Sequence, residues 1–206
     1  MLIIHPTYFP TIAHFVAIVN RDVVFEIHDN YQKQTYRNRM YIYGANGKQL
    51  LTIPVKHTKN KDAHQKYVNV GIDNSFNWQK QHWKTIQTAY RTSPYFEFYE
   101  DDIAPLFKNT PATLFELNLK TIELLCDCIG ISMPTKKTEV YQETYPNKND
   151  FRFLVNAKKE LTLDLTPYIQ VFSNKHGYIA NLSILDLLFN EGPNTLLYLQ
   201  QHQLHD

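Results

Sequence analysis

The chain has 206 residues, with 21 lysines and arginines against 20 aspartates and glutamates, a net charge of +1 and 43% hydrophobic residues, at a mean hydropathy of −0.41. This composition suits one soluble globular unit and excludes a disordered chain and a protein basic enough as a whole to bind nucleic acid generally. No apolar run approaches the roughly 20 residues needed to cross a bilayer, and the apolar stretch at residues 15–19 is too short for a signal-peptide core, so a cytoplasmic location is expected.

Residues 1–5 form a short β-type run stopped by Pro6 and Pro10, and residues 13–19 read as a helix crossing back to a second strand at 23–28. So short a crossover favours parallel pairing, with a ligand at the carboxyl ends of the strands, where residues 5–11 and 29–32 meet. Residues 39–43 and 49–55 are β-rich runs around the turn signal Gly44-Ala45-Asn46-Gly47, a hairpin pattern, and residues 68–72 read as one more strand. From Trp78 the period becomes helical, with Trp78, His82, Ile86 and Ala89 or Tyr90 on one stripe and Pro94 limiting the helix near Arg91. A short helix is expected at 101–107. The clearest helix runs from Pro111, capped by Thr110, through Leu114, Phe115, Leu117, Ile122, Leu125 and Ile129 to Gly130 just past its end. Its two cysteines, Cys126 and Cys128, point away from each other at this spacing and exclude a disulfide scaffold or a CxxC redox site. Residues 139–142 read as a late strand, and the polar segment 145–160 as a mobile or inserted loop. Ser183 with Asp186 caps the apolar run 184–189, Gly192-Pro193 ends that helix and starts the last, and the tail 202–206 is expected to fray.

The fold class expected is therefore α/β: a small N-terminal mixed, partly parallel sheet with a β hairpin, followed by a mainly helical C-terminal half. One domain is expected over 1–206, with a sheet-containing lobe at 1–76 and a mainly helical lobe at 77–206.

The near-neutral total conceals an uneven distribution. Between Tyr31 and Lys66 stand Lys33, Arg37, Arg39, Lys48, Lys56, Lys59, Lys61 and Lys66 against the single acid Asp62, a local charge of +7. Such a band attracts phosphate, carboxylate or polyanion partners; its simpler reading is a solvated hairpin with lysines guarding its edges.

The order of motifs carries a resemblance. His5-Pro6-Thr7-Tyr8-Phe9-Pro10 opens the chain, Asp29 with Gln32-Lys33 and Tyr36-Arg37-Asn38-Arg39 follows, then Gly47-Lys48-Gln49-Leu50-Leu51-Thr52-Ile53-Pro54-Val55-Lys56, Trp78 with His82, Pro94-Tyr95-Phe96 and Asn118. This resembles the WbqC-like family of bacteria, whose members open with a Gln/His-Pro-x-Tyr-x-Pro motif and carry Tyr-x-Asn-Arg before a hairpin. Where that family commonly has Trp-x-Gly-Tyr, this chain has Thr11-Ile12-Ala13-His14. The resemblance implies a setting in O-antigen and other surface-polysaccharide gene clusters, and no settled reaction. The same four residues also resemble the (Thr/His)-x-Gly-His signature of nucleotidylyltransferases, with alanine for glycine; the alternative is a His14 that simply lies on the first helix facing polar surroundings.

The candidate catalytic residues are His5, Tyr8 and Asp29. His5 follows the first strand directly in a loop stiffened by two prolines, which suits acid or base work, unless it is a half-buried histidine bonded to backbone. Tyr8 is placed to donate a hydrogen bond to the same ligand. On an extended backbone Arg37 and Arg39 share a face able to grip a phosphate or carboxylate, while Tyr36 and Asn38 address a sugar or base; the alternative is a strand edge paired with Glu97 and residues 100–102. Lys33, Lys56 and His82 complete the substrate-binding candidates, though for His82 packing against the aromatics of its helix is the favoured reading. The pairs His57/His64 and His202/His205 join no constellation with ligand spacing, so no metal is expected, and with no GxGxxG, Walker loop, GxSxG or HExxH no cofactor is expected either.

With the setting that the resemblance implies, these features read as an enzyme of surface-polysaccharide biosynthesis, its reaction not established and group transfer on a nucleotide-linked or other anionic sugar favoured, with nucleic acid disfavoured as a partner. The alternatives are a non-catalytic glycan or single-stranded nucleic-acid binding module, and a scaffold of a biosynthetic complex.

Overall fold

The computed structural model of the protein describes residues 1–56, 64–145, 149–158 and 164–204. His57, Lys59, Lys61 and Asp62 of the basic band, His205, and residues 146–148 and 159–160 of the polar segment lie outside the described residues. In chain order the elements are β1 (Leu2–Ile4), α1 (Ile12–Asn20), β2 (Val23–Phe25), β3 (Arg39–Gly44), β4 (Gly47–Thr52), α2 (Trp78–Tyr90), α3 (Phe96–Ile103), α4 (Pro105–Lys108), α5 (Leu114–Ile129), α6 (Ser173–His176), α7 (Ile184–Glu191) and α8 (Thr195–Gln200). The architecture is the expected one, with a small parallel pair and an antiparallel hairpin first and helices dominating the second half.

β1 and β2 pair in parallel in the register Leu2↔Val23, Ile3↔Val24 and Ile4↔Phe25. The Leu2 amide donates to the Asp22 carbonyl and the Glu26 amide to that of Ile4, which leaves the Ile3 groups facing the other way. There they meet a distant segment: the Ile3 amide donates to the Asn149 carbonyl at 2.7 Å, and the Phe151 amide to the Ile3 carbonyl at 3.0 Å. On the far side of β2 the Phe25 amide bonds to the Lys136 carbonyl and the Thr138 amide to that of Phe25. Two single parallel bridges, Ile3↔Asp150 and Phe25↔Lys137, thus flank the pair. The crossover helix α1 buries Ile12 through Ile18, His14 included, as a helix covered on several sides must.

Several expectations are corrected. Residues 68–72 are not a strand: a 3₁₀ turn spans Tyr67–Asn69, and single bridges Val55↔Ile72 and Gly71↔Thr113 follow. Those contacts hold residues 112–114 extended, with the Ile72 amide on the Ala112 carbonyl and the Leu114 amide on that of Val70. The long helix α5 therefore starts at Leu114 rather than Pro111, and Thr113, not Thr110, caps it by accepting from the Glu116 amide. The late strand at 139–142 is absent; the sheet is met earlier, at Lys137. The helix expected at 101–107 begins at Phe96, burying Phe96, Tyr99 and Ile103, and α4 restarts at Pro105. The segment read as a mobile loop packs Phe151, Leu154 and Val155 into the interior. The tail is anchored as far as His202, whose Nε2 accepts from the Thr166 amide at 2.9 Å and whose Nδ1 lies 2.7 Å from the Tyr198 carbonyl.

Gly192, between α7 and α8, has φ +51°, and a Cβ there would fall 2.5 Å from Tyr95 Cγ. Gly130 caps α5 at φ +80° with open space around the missing Cβ. Urea unfolding is expected to show Gly192→Ala losing about 2–4 kcal/mol, from backbone strain plus overlap, and Gly130→Ala about 1 kcal/mol, from strain alone.

Candidate functional site

The carboxyl ends of the parallel segments bring the chemistry together. His5 leaves β1, Asp29 lies four residues beyond β2, and Asp150 and Arg152 come from the segment bonded to Ile3. A cleft of about 450 Å³ opens here, lined by His5, Asp29, Gln32, Arg37, Tyr141, Asp150, Arg152, Phe153, Val155 and Asn156.

At its centre Arg37 is fully buried and Asp29 13% exposed. Arg37 Nη2 donates to Asp29 Oδ2 at 2.9 Å and lies 2.9 Å from His5 Nε2, which is itself 3.2 Å from the same carboxylate oxygen. The Asn30 amide donates to Asp29 Oδ1 at 2.7 Å. Beneath the guanidinium lies the Tyr67 ring, 5.2 Å from ring centroid to Arg37 Cζ, a cation–π contact. Asn118 of α5 donates to the Arg37 carbonyl at 2.7 Å and to the Tyr67 hydroxyl. Tyr67 in turn donates to the Pro6 carbonyl at 2.8 Å, one residue from His5.

Burial, reinforced by the charge of Arg37, lowers the His5 pKa to about 4, so the imidazole is neutral at pH 7. Its one ring proton sits either on Nε2, facing Asp29, or on Nδ1, with Nε2 accepting from Arg37; Nδ1 is buried and has no partner among the described residues. Burial works against ionisation of Asp29, but the contact with His5, the Arg37 guanidinium and the Asn30 amide outweigh it and hold the carboxyl below its ordinary value. Burial also lowers the pKa of Arg37, against the opposing pull of Tyr67 and Asp29. The result is a carboxylate kept ionised and held in one orientation at the cleft wall.

Arg152 braces the opposite wall. Its guanidinium binds both oxygens of Asp150 and donates to the Gln142 and Glu143 carbonyls, and it stacks over Tyr145 at 4.8 Å. Glu26, fully buried, accepts from the His28 amide, the Thr138 hydroxyl and the Tyr145 hydroxyl. Both arginines therefore have their charge matched by a carboxylate; the exposed Lys66 donates to the His28 carbonyl at 2.8 Å with its ammonium 6.0 Å from the Tyr141 ring, and Lys33, also exposed, follows the cleft residue Gln32 in the chain.

The fold brings His5, Asp29 and Arg37 together and disperses the other candidates. Tyr8 turns away: its hydroxyl lies 3.0 Å from His82 Nδ1, and its ring packs against Phe9 and Trp78. His82 is buried in that same aromatic group, its pKa lowered by burial to about 4. Residues 35–38 form a turn, with the Asn38 amide on the Thr35 carbonyl, so Arg37 and Arg39 do not share an extended face. Asn38 instead extends the hairpin by donating from its side chain to the Ile53 carbonyl. Arg39 is half-buried at the start of β3, and Tyr36 packs edge-on against His14 and Tyr41. Lys56 is exposed and lines no part of the cleft. Glu100, offered as a partner for the arginines, pairs with Arg91 instead.

His14 is buried rather than facing polar surroundings, its Nδ1 2.9 Å from the Thr11 hydroxyl. The amides opening α1 are all bonded: Ile12 to the Leu182 carbonyl, Ala13 to the Asn181 side chain and His14 to Thr11. No donor at that helix start is left for a phosphate, which removes the basis of the nucleotidylyltransferase signature.

Asp150, Arg152, Glu26 and Tyr67 were not foreseen. A signal existed for the first two: Phe151, Phe153, Leu154 and Val155 are an apolar run in a polar segment, the mark of an anchored rather than a free loop. Among the described residues no group of three or more histidine, cysteine, aspartate or glutamate side chains is arranged to hold a metal ion. No helix among them is long and apolar enough to cross a membrane.

A profile of the WbqC-like protein family matches residues 5–166, a span that contains every residue lining the cleft. An uncharacterised protein of Mycobacterium tuberculosis is 28% identical over 233 aligned residues, which cover 97% of this chain and 98% of that protein. No solved structure matches the chain.

His5, His14 and His82 all bind protons less tightly folded than unfolded, with pKa values lowered by burial to about 4, 3 and 4 from 6.5. The unfolded chain therefore takes up their protons first. Stability is full above about pH 7 and is lost as pH falls through 6.5 towards 4, with a slope near pH 5 of about 4 kcal/mol per pH unit for three protons. Thermal melts between pH 7.5 and 5 measure this, and His82→Gln is expected to flatten the slope by about a third.

Proposed function

The chain belongs to the WbqC-like protein family, and from that premise and the cleft geometry we propose that it is a group-transfer enzyme of bacterial surface-polysaccharide biosynthesis, acting on a sugar linked to a nucleotide or another anionic group. The observation that carries this reading is the meeting of Asp29, His5 and Arg37, within 3.2 Å of one another, on a cleft at the carboxyl ends of parallel strands. Ligands gather at such strand ends in open α/β sheets.

In this reading Asp29 accepts the hydrogen bond of a substrate hydroxyl and takes its proton as the hydroxyl oxygen attacks the transferred group. The bond to the nucleotide or other anionic carrier breaks, its electron pair leaves with the carrier, and the proton passes from Asp29 to solvent. Arg37 and His5 are positioning residues: they keep the carboxylate ionised and aimed, which a general base needs. Arg37 is already matched by Asp29, so in this reading the anionic portion of the substrate is assigned to Lys66, beside the Tyr141 ring, and to Lys33, which follows the cleft residue Gln32 in the chain, rather than to an Arg37/Arg39 clamp. The half-exposed rings of Tyr141 and Phe153, with the amides of Gln32 and Asn156, suit a sugar ring and its hydroxyls.

The same aromatic walls favour a second reading, a glycan-binding module without chemistry. The two separate on one variant. A nucleotide-sugar that binds at 100 times its Kd adds about 2.7 kcal/mol, a melting shift of about 5–10 °C for a chain of this size. With such a ligand and an acceptor, Asp29→Asn, which keeps the oxygen that Arg37 contacts, is expected to retain the shift within a few-fold in Kd and to lower product formation by about 10²–10⁴. Product formed by Asp29→Asn at the wild-type rate overturns the enzymatic role of Asp29, and a wild-type protein that binds glycan without turnover selects the binding module.

A further inference from the structure

Among the described residues the hairpin leaves one edge of its sheet open. β3 and β4 pair in the register Arg39↔Thr52 through Gly44↔Gly47, and the ladder continues with the Ile53 amide donating to the Asn38 carbonyl at 2.9 Å. Backbone bonds in an antiparallel pair alternate along each strand. Gly47, Gln49, Leu51 and Ile53 therefore face β3, and the backbone groups of Lys48, Leu50 and Thr52 face away from it. The other strand shows the same parity from outside: the Tyr43 amide donates to the Tyr90 hydroxyl at 3.0 Å, and the Tyr41 carbonyl accepts from the Ser183 amide at 2.8 Å. The outer edge of β3 is thus covered by α2 and the start of α7.

The outer edge of β4 is not covered in this way. Lys48, Leu50 and Thr52 are exposed, Leu50 by 41%, and among the described residues only the Thr52 backbone of the three is approached, by His82. Between residues 48–50 and the Lys84, Thr85 and Thr88 face of α2 runs a groove of about 600 Å³, which shares no lining residue with the Asp29 cleft. Its charge is of one sign: residues 39–56 and α2 together hold Arg39, Lys48, Lys56, Lys80 and Lys84 and no aspartate or glutamate. At the hairpin tip Lys175 adds another cation, bonded to the Ala45 carbonyl at 3.0 Å.

An exposed strand edge is a template for another strand, and lysines on it repel an edge of like charge. A second copy would bring its own Lys48 and Lys84 to this groove, so the charge selects against self-pairing and for a partner of opposite sign. We propose that this edge takes an acidic peptide in extended conformation as a third strand of the hairpin sheet, its backbone pairing with Lys48 and Leu50 and its carboxylates meeting Lys48 and Lys84.

The probe is a fluorescein-labelled peptide of alternating glutamate and valine, about eight residues long, the length of an ordinary strand, read by anisotropy on the intact protein near physiological salt. Saturable binding is expected. It is expected to weaken at least about tenfold when alternate backbone amides of the peptide are N-methylated, and by a similar factor in Lys48→Glu/Lys84→Glu, because strand addition needs both the main-chain bonds and the charge. Leu50→Pro removes an outward-facing amide and is tolerated at an edge, so it is expected to weaken binding with little change in the melting temperature. Equal binding of the N-methylated and parent peptides overturns strand addition and leaves only charge attraction, and absence of binding up to millimolar peptide overturns the proposal outright. Asp29→Asn is expected to bind the peptide as the wild type does, so failure here leaves the reading of the cleft standing.

Discussion

A buried guanidinium fixes the arrangement on which the rest of the cleft depends. Arg37 has no exposed surface, and an unpaired charge in that position costs several kcal/mol, a large share of the stability of an ordinary domain. The chain brings its Nη2 a carboxylate and its plane an aromatic face, from widely separated segments, while Nε and Nη1 have no partner among the described residues. Asp29 follows β2, Tyr67 comes from the 3₁₀ turn, and Asn118 of α5 reaches the Arg37 carbonyl while also bonding to Tyr67. Accommodating one cation thus ties together the end of the parallel pair, the 3₁₀ turn after the hairpin and the longest helix. His5 is drawn into the same group through Arg37 Nη2. The charge of Arg37 in the local excess of basic residues is therefore spent within the fold, and the exposed lysines of that excess, Lys33, Lys48, Lys56 and Lys66 among the described residues, lie outside this buried group.

The second constraint is the direction of the strands. Parallel pairing points the carboxyl ends of β1 and β2 the same way, and the segment around Asp150 joins in the same sense. Three loops then emerge on one side, carrying His5, Asp29 and Arg152. An antiparallel arrangement would have sent one of them to the opposite end. Arg152 and Glu26 stiffen this side by consuming the polar groups of residues 138–145, which leaves Asp29 as a carboxylate with a defined orientation and access to the cleft.

A separate buried carboxylate joins the hairpin to the C-terminal helices. Asp186 of α7 accepts from the Tyr90 hydroxyl of α2, the Tyr168 hydroxyl and the Gln170 side chain, while Tyr90 itself receives the Tyr43 amide of β3. Burial raises the pKa of Asp186 even against these three donors, so this joint is held by hydrogen bonds whose alternatives are worse: each donor, left unmatched in the interior, costs about 1–3 kcal/mol. The molecule is in this sense organised around two polar clusters within apolar surroundings, one that faces a cleft and one that does not.

What was legible from sequence follows from what is local. Hydrophobic period, proline and glycine positions and turn residues set β1, α1, β2, the hairpin and α2, including the buried stripe Trp78, His82, Ile86, Ala89 and Tyr90, because those signals act within one or two turns of chain. The parallel sense of the first pair was legible too, from the length of its crossover. Boundaries shifted where distant chain intervened: α5 starts late because residues 112–114 are held extended by 70–72, and the polar segment after Tyr145 is anchored because Asn149 and Phe151 bond to Ile3. The sequence by itself determined the class of fold, the basic band and the meeting place of His5 and Asp29 at the strand ends. Only the tertiary structure decided that Arg37 is a buried partner of Asp29 rather than a free clamp, that Tyr8 serves the aromatic core, and that Asp150 and Arg152 complete the cleft. Charge pairing depends on distance in space, and residues far apart in the chain acquire that distance only when the whole fold closes.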